Sequence, residues 1–324
     1  MSKVLPDIGT TVDAMLSRQM GEDEMIRTFT ALAGATVSGK ELAQAAGILR
    51  SHAVRICLPG DPIDTCGTGG SGKKRMNTST IASFIIAAAG GRVAKHGNRA
   101  AGGRCGSFDV LEGLGATIDL TPQQAEATYK ECGLAFLFAP LYHPALAAVA
   151  AARKRYGKPT FFNLLGPLCN PAGVRGQLLG TPHLKHARVL RDALRLLGNG
   201  RSLVVCGSDG LDEVTVNGVT TVLDVAQGSE RQFHPQDIGL SEHASEATEG
   251  GDIQANVAIA RRILGGDATP AQRDLVLVNA AHALLLTPVA DTLADALLAA
   301  ERALDSGAAQ ALLERYIAST RRFA

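Results

Sequence analysis

Between a short strand pattern, Ile63–Cys66, and a helix predicted from about Ser79 to Ala89, the chain runs through Gly67-Thr68-Gly69-Gly70-Ser71-Gly72. Glycines let a backbone approach an anion closely and aim several N–H groups at it, and the following helix adds its N-terminal dipole. The surroundings point the same way. From Thr65 to Phe108 there is no Asp or Glu, yet the stretch holds Lys73, Lys74, Arg75, Arg92, Lys95, Arg99, Arg104 and His96. The whole chain has a net charge of only +1, so this is a local pool of positive potential. Asn77, Ser79 and Thr80 supply neutral donors where the helix begins. Together these features describe a polyphosphate site.

Two better-known glycine motifs fail here. The string fits GxGxxG, but a dinucleotide fold needs an acidic residue ~20 positions later for the ribose hydroxyls, and that window contains none. It also fits GxxxxGK, but Lys74 stands where a P-loop needs Ser or Thr. A flexible glycine turn with exposed lysines is the plain alternative.

The rest of the chain supports an α/β reading. Residues 8–56 read as three short amphipathic helices, with Ser38 and Glu41 forming a capping box for Gly39–Ser51. After the turn cluster Pro59-Gly60-Asp61-Pro62, strands and helices alternate. Strands are predicted at Arg92–Lys95, Leu134–Ala139 and Ser202–Cys206. Helices are predicted from Thr121-Pro122, over His143–Tyr156 and over Leu184–Leu197. Asn217-Gly218 predicts a tight hairpin joining Val214–Val216 to Val219–Leu223. From about Ile253 the chain is helical, with breaks at Gly265-Gly266, Pro288 and Gly307, and Glu242–Asp252 reads as a polar loop. The pattern implies a mostly parallel sheet with added antiparallel strands, covered by helices.

Gly207-Ser208-Asp209-Gly210-Leu211-Asp212-Glu213 directly follows a buried strand. Adjacent carboxylates opposite a cationic polyphosphate site suit Mg²⁺, which binds through a few carboxylates, phosphate oxygens and retained waters. An isolated Asp-Glu pair is otherwise a solvated loop feature.

Composition excludes several classes. The chain has no Trp and 4% aromatic residues, too few for base-stacking platforms. The six cysteines include no CxxC pair, which argues against zinc and against a disulfide scaffold, and they are expected to be reduced and mostly buried. The first residues lack an apolar run suited to a signal peptide, and Ile81–Gly91 is too short to span a bilayer. The expectation is a cytoplasmic protein with no membrane or nucleic-acid partner.

Several motifs together carry a resemblance. They are Gly67–Gly72, Asn77-Thr78-Ser79-Thr80, Lys95-His96-Gly97-Asn98-Arg99, Phe162-Asn163-Leu164-Leu165-Gly166-Pro167-Leu168 with Asn170-Pro171-Ala172, and Gly210-Leu211-Asp212-Glu213. In this order, from about residue 10 to about 315, the chain resembles the anthranilate phosphoribosyltransferase family. Pyrimidine nucleoside phosphorylases share the fold, but the Lys-His-Gly-Asn-Arg and Asn-Leu-Leu-Gly-Pro-Leu motifs favour the transferases.

The resemblance implies an α/β fold of the nucleoside phosphorylase/phosphoribosyltransferase type. A small N-terminal helical domain (1–60, joined by a helical segment near 155–185) would adjoin a large α/β domain (61–324) with a mostly parallel central sheet. It implies a homodimer, Mg²⁺ as cofactor, and transfer of a phosphoribosyl group from 5-phosphoribosyl 1-diphosphate (PRPP) to anthranilate in tryptophan biosynthesis. Carried over, Gly67, Thr68, Gly69, Gly70, Asn77, Ser79, Thr80, Lys95 and Ser107 bind PRPP. Gly67, His96, Asn98, His143 and Arg153 meet anthranilate, and Ser79, Asp212 and Glu213 hold the metal. No covalent nucleophile is implied. At single residues the alternatives are an exposed helix arginine at 153 and structurally satisfied histidines at 96 and 143.

The chain departs from the family pattern at Ser71, at Lys73-Lys74-Arg75, at Gly102-Gly103 and at Phe108. These departures leave a transferase for a different aromatic amine as a rival reading. A non-catalytic relative that binds nucleic acid through the basic loop is another.

Overall fold

The computed structural model of the chain describes residues 7–33, 37–100 and 105–324. The amino-terminal part folds as the periodicity predicts, into α1 (Ile8–Leu16), α2 (Glu22–Ala33) and α3 (Gly39–Ser51). The Ser38 hydroxyl accepts from the Glu41 N–H at 3.3 Å, and the Glu41 carboxylate accepts from the Ser38 N–H at 2.7 Å, completing the expected capping box.

Seven strands form one sheet: β1 (Ile63–Gly67), β2 (Val93–Gly97), β3 (Leu134–Phe138), β4 (Gly176–Gly180), β5 (Arg201–Gly207), β6 (Thr220–Asp224) and β7 (Glu230–Phe233). Their order is β3-β2-β1-β4-β5-β6-β7. The first five are parallel, while β6 and β7 are added antiparallel. The parallel strands are covered on both faces, which is why they read as short apolar runs rather than alternating ones.

Helices are numbered in chain order. One face is covered by α4 (Thr78–Ala88), α5 (Ser107–Leu114), α11 (Ile253–Leu264), α12 (Pro270–Leu284), α13 (Leu293–Asp305) and α14 (Ala308–Arg321). On the other face α10 (Leu184–Leu196) lies on β5 and β6. Stacked against it are α1–α3, α8 (Ala147–Tyr156) and α9 (Phe162–Leu165), in one continuous apolar cluster. The helix α6 (Pro122–Cys132) flanks β3, and the short α7 (Ala139–Tyr142) follows that strand. From β1 the chain first builds outward through β2 and β3, then returns to place β4 on the other side of β1. The β1/β4 boundary is therefore the switch point of the sheet, where open α/β folds form a crevice beyond the strands' carboxyl ends.

The structure corrects four expectations. Val214–Val216 is not a strand, and Asn217-Gly218 does not turn a tight hairpin. Side chains take over its backbone partners: Asn279 Oδ1 accepts from the Val214 N–H at 2.9 Å, and Thr220 Oγ1 accepts from the Thr215 N–H at 2.9 Å. Instead β6 pairs directly with β5 across a broad loop. The predicted helix His143–Tyr156 is broken, because Pro144 disfavours helical backbone at His143 (φ −125°, ψ 60°); a single turn follows, and α8 starts at Ala147. The joining segment near 155–185 is helical only in part, since Gly176–Gly180 is the central strand β4, too short and glycine-bounded to show a period. The polar loop Glu242–Asp252 contains a helical turn at Ser245–Thr248, and Glu249 makes an antiparallel bridge with Arg75.

Candidate active site

Gly67 ends β1 and Gly180 ends β4, and the two are register partners at the switch point. The glycine loop leaves from there. Thr68 donates its N–H to the Gly180 carbonyl at 2.9 Å, and Gly69, Gly70 and Gly72 take φ values of +71°, +81° and +69°. These are left-handed conformations that glycine adopts without a Cβ clash. The loop then feeds α4, whose N-cap is Asn77. At this junction the Asn77 Oδ1 and Thr80 Oγ1 atoms are buried without a partner among the described residues. Buried polar atoms left open are costly, so they mark a place built for a polar ligand.

Lys95 and His96 are consecutive on β2 and point to opposite faces of the sheet, as strand neighbours must. Lys95 is buried, with its ammonium on the Thr65 carbonyl and 3.1 Å from Ser79 Oγ. Below the loop, Asp64 is fully buried and accepts from Asn170 Nδ2 at 2.8 Å and Gln177 Nε2 at 3.3 Å. Burial pushes its carboxyl up, and Lys95 opposes that shift.

His96 faces a cleft of ≈ 840 Å³. Gly67, Thr68, His96, Asn98, His143 and Arg153 line it together, with Leu49, Phe162 and Asn163 among their neighbours. The rings of His96 and His143 are 5.0 Å apart. His143 Nε2 is 2.9 Å from the Cys169 carbonyl, while His143 Nδ1 and His96 Nε2 are buried without partners among the described residues. Burial, and then the neighbouring His143, lowers His96 to about 3, and burial also lowers His143, so both are neutral at pH 7. Arg153 lies with its guanidinium 5.5 Å from the Phe162 ring centre, half-buried at the cleft. The helix neighbour Arg155 is the solvent-facing one, paired with Glu22 at 3.1 Å and Asp23 at 2.7 Å.

Asp212 and Glu213 lie in the loop after β5; Asp212 reaches the glycine loop, and Glu213 lies by Thr65, Cys66 and Ser79. Asp212 is fully buried and accepts from the Gly69 N–H at 2.9 Å and from the Arg75 guanidinium. Glu213 is also buried, and burial pushes its carboxyl up to about 7 against the pull of Arg75 and Lys95. Two neighbouring carboxylates are hard oxygen donors of the kind a divalent cation takes. No group of three or more His, Cys, Asp or Glu gathers among the described residues. Such an ion would therefore complete its shell with the Ser79 hydroxyl, water and a substrate's phosphate oxygens.

Gly69, Gly70, Asn77, Ser79, Thr80, Lys95 and Ser107 lie outside the lining of the cleft; Ser107 opens α5, and its hydroxyl donates to the Asn98 carbonyl at 3.2 Å. Phe108 does not enter the cleft: its ring is fully buried against Phe138 (4.9 Å) and Phe136 (6.5 Å), on the α4–α5 side of the sheet. Gly102, Gly103 and Arg104 lie outside the described residues. Ser71 and the exposed Lys73 and Lys74 sit on the loop. Three residues absent from the predicted site belong to it. Arg75 pairs with Asp212, Asn163 lines the cleft, and a Cβ on Gly180 would stand 1.8 Å from the Asp212 carbonyl oxygen. Arg75 left a signal in the basic run ahead of Met76 and Asn163 in the Phe162–Leu168 motif, whereas Gly180 left none.

All six cysteines are free of disulfides; Cys132, Cys169 and Cys206 are buried and Cys57 is exposed. No described helix is long and apolar enough to cross a membrane.

Comparison with known proteins adds independent findings. Residues 60–310 match the model of the glycosyl transferase family, a/b domain. An anthranilate phosphoribosyltransferase of Rubrobacter xylanophilus is 44% identical over 297 residues, covering 91% of this chain and 87% of the relative. Among solved structures, the anthranilate phosphoribosyltransferase of Thermus thermophilus superposes with a TM-score of 0.92 at 36% identity, covering 98% of this chain and 97% of that one. The Saccharomyces cerevisiae enzyme in complex with PRPP and Mg superposes with a TM-score of 0.89 at 28% identity, covering 98% and 93%.

Proposed function

Because this chain belongs to the glycosyl transferase family, and within it to the anthranilate phosphoribosyltransferases, we propose that it joins PRPP to anthranilate, giving N-(5-phosphoribosyl)anthranilate and diphosphate. One observation carries the assignment of the parts. A single cleft is lined by Gly67-Thr68 of the glycine loop, by Arg153 and by two neutral histidines. That arrangement suits a phosphorylated donor lying beside a flat aromatic acid.

The donor's diphosphate is assigned to the Gly67–Gly70 loop, whose Thr68 and Gly69 N–H groups are taken by Gly180 and Asp212, and to Asn77, Ser79, Thr80 and Lys95, with Ser107 supporting the Asn98 backbone. The planar fork of Arg153 holds the benzoate carboxylate, which fixes the amine's direction of approach. Gly67, His96, Asn98 and His143 surround the aromatic ring. The neutral amine attacks C1 of the ribose with its lone pair; the C1–N bond forms, the C1–O bond to diphosphate breaks, and a proton leaves the new ammonium. Holding both reactants in line supplies much of the acceleration, and no covalent nucleophile is needed. Bound at Asp212, Glu213 and Ser79, Mg²⁺ would neutralise charge developing on the departing diphosphate. Lys95, held beside Ser79, would act on the same charge from a fixed position.

The proposal extends to a cytoplasmic homodimer acting in tryptophan biosynthesis. It treats residues 1–60, with the helical part of the segment near 155–185 that precedes β4, as a helical unit against the α/β unit 61–324. The packing of α8 and α9 on α1–α3 supports that grouping. The inward turn of Arg75 onto Asp212 speaks against an exposed basic strip for nucleic acid.

Arg153→Gln tests the assignment of this arginine to the acceptor. The KM for anthranilate is expected to rise about 10–100-fold, the value of a charge-assisted bidentate contact, with PRPP binding nearly unchanged. Equal loss of both would contradict the assigned role.

A further inference from the structure

Arg75 is placed unlike every other cation of the glycine loop. Lys73 and Lys74 are exposed, and Lys95 is committed to Thr65 and Ser79. Arg75 instead sends its guanidinium onto a carboxylate with no solvent exposure of its own, while its own side chain stays 35% exposed.

The backbone around it is pinned. Arg75 bridges Glu249, Gly250 donates its N–H to the Lys74 carbonyl at 3.3 Å, and a Cβ on Gly250 would stand 2.2 Å from the Arg75 carbonyl oxygen. With its backbone fixed, the side chain can pivot but cannot leave the loop. Its guanidinium already lies across that loop, since a Cβ on Gly69 would meet Nη2 at 3.8 Å.

Arg75 is therefore the cation paired with Asp212 among the described residues, and Asp212 is also the residue the proposed function gives to a divalent ion. A guanidinium and a doubly charged cation cannot share one buried carboxylate without strong repulsion. An arginine turned off Asp212 would face the glycine loop, where its planar fork matches a diphosphate.

We propose that Arg75 is a partner-exchanging residue of the donor site. It holds Asp212 when no divalent ion is bound and passes to the donor's diphosphate when the ion takes that carboxylate. This rests on the proposed placement of metal and donor. Its consequence is coupling: the ion alone must displace Arg75, whereas ion and diphosphate together give it a new anion. Each ligand strengthens the other's binding by the same factor.

The test uses Mn²⁺ as a spectroscopic stand-in for Mg²⁺, with free Mn²⁺ followed by electron paramagnetic resonance, and inorganic diphosphate as the anion. Against protein-free blanks that correct for Mn²⁺–diphosphate complexes, wild-type protein is expected to bind Mn²⁺ about tenfold more tightly once diphosphate is present, and Arg75→Met to gain less. Arg75→Met, its folding verified by thermal denaturation, is expected to bind Mn²⁺ alone more tightly than wild type. It should also bind diphosphate about tenfold more weakly in the presence of Mn²⁺. Unchanged or weaker Mn²⁺ binding by this variant, or unchanged diphosphate binding, overturns the exchange.

If Arg75→Met does not fold, Arg75→Lys decides. Its ammonium still competes at Asp212 but offers no fork, so Mn²⁺ binding should stay near wild type while diphosphate binding weakens; no change in diphosphate binding overturns the proposal. Failure of wild-type protein to bind Mn²⁺ and diphosphate together would instead overturn the metal and donor site itself.

Discussion

A Cβ on Gly180 would stand 1.8 Å from the carbonyl oxygen of Asp212, and one on its register partner Gly67 would stand 2.2 Å from Asp212 Oδ2. Two adjacent strand ends thus admit the carboxylate-bearing loop because neither has a side chain. The two contacts differ in kind. Gly180 meets backbone, which cannot move without shifting the whole loop, whereas Gly67 meets first the end of a side chain, with the Asp212 carbonyl oxygen at 3.2 Å behind it.

Gly180→Ala is accordingly expected to lower stability by about 1–3 kcal/mol, the usual range for overpacking a filled interior. Gly67→Ala should keep most of its stability but push the Asp212 carboxylate aside, costing roughly a hundredfold in turnover, as a misplacement of ~1 Å can. Thermal denaturation and steady-state rates separate the two. A Gly67→Ala enzyme with normal turnover would show that the position of Asp212 is not critical.

Burial of neutral His96 gives a pH prediction. The unfolded chain protonates this histidine near the ordinary value, while the folded protein resists until about 3. Between those values the unfolded state binds more protons, so the stabilisation present above pH ~6.5 is lost as pH falls, by up to about 1.4 kcal/mol per pH unit. Denaturant titrations of wild type and His96→Asn from pH 4 to 7 should show a shallower slope in the variant. Equal slopes would mean that His96 is solvated and protonates normally.

Phe108 tests whether a departure from the family pattern alters the acceptor. Its ring fills the core between Phe136 and Phe138, so Phe108→Ala should cost about 3–5 kcal/mol. Phe108→Leu should fold and retain the wild-type ranking of aromatic amines in a substrate panel. A changed ranking would place Phe108 in communication with the cleft.

What the sequence disclosed, and what it hid, follows from range. The Gly67–Gly72 loop, the Ser38 and Thr121 helix starts and the acid-free stretch are local patterns, and each is found where it was expected. The convergence of His96, His143 and Arg153 came through family motifs, because residues this far apart have no spacing that reveals contact. The Arg75–Asp212 pair spans 137 positions and neither residue signals the other. Strand β4 stayed hidden because five buried residues bounded by glycines have no measurable period. Phe108 was misleading because the helix that turns it inward, α5, was itself not foreseen.

The most direct test is the reaction itself: anthranilate consumption with PRPP and Mg²⁺, with diphosphate release followed in parallel and a metal-free control. The expected result is Mg²⁺-dependent loss of anthranilate with one diphosphate formed per amine consumed. Tight binding of PRPP and Mg²⁺ without anthranilate turnover would contradict the assigned acceptor.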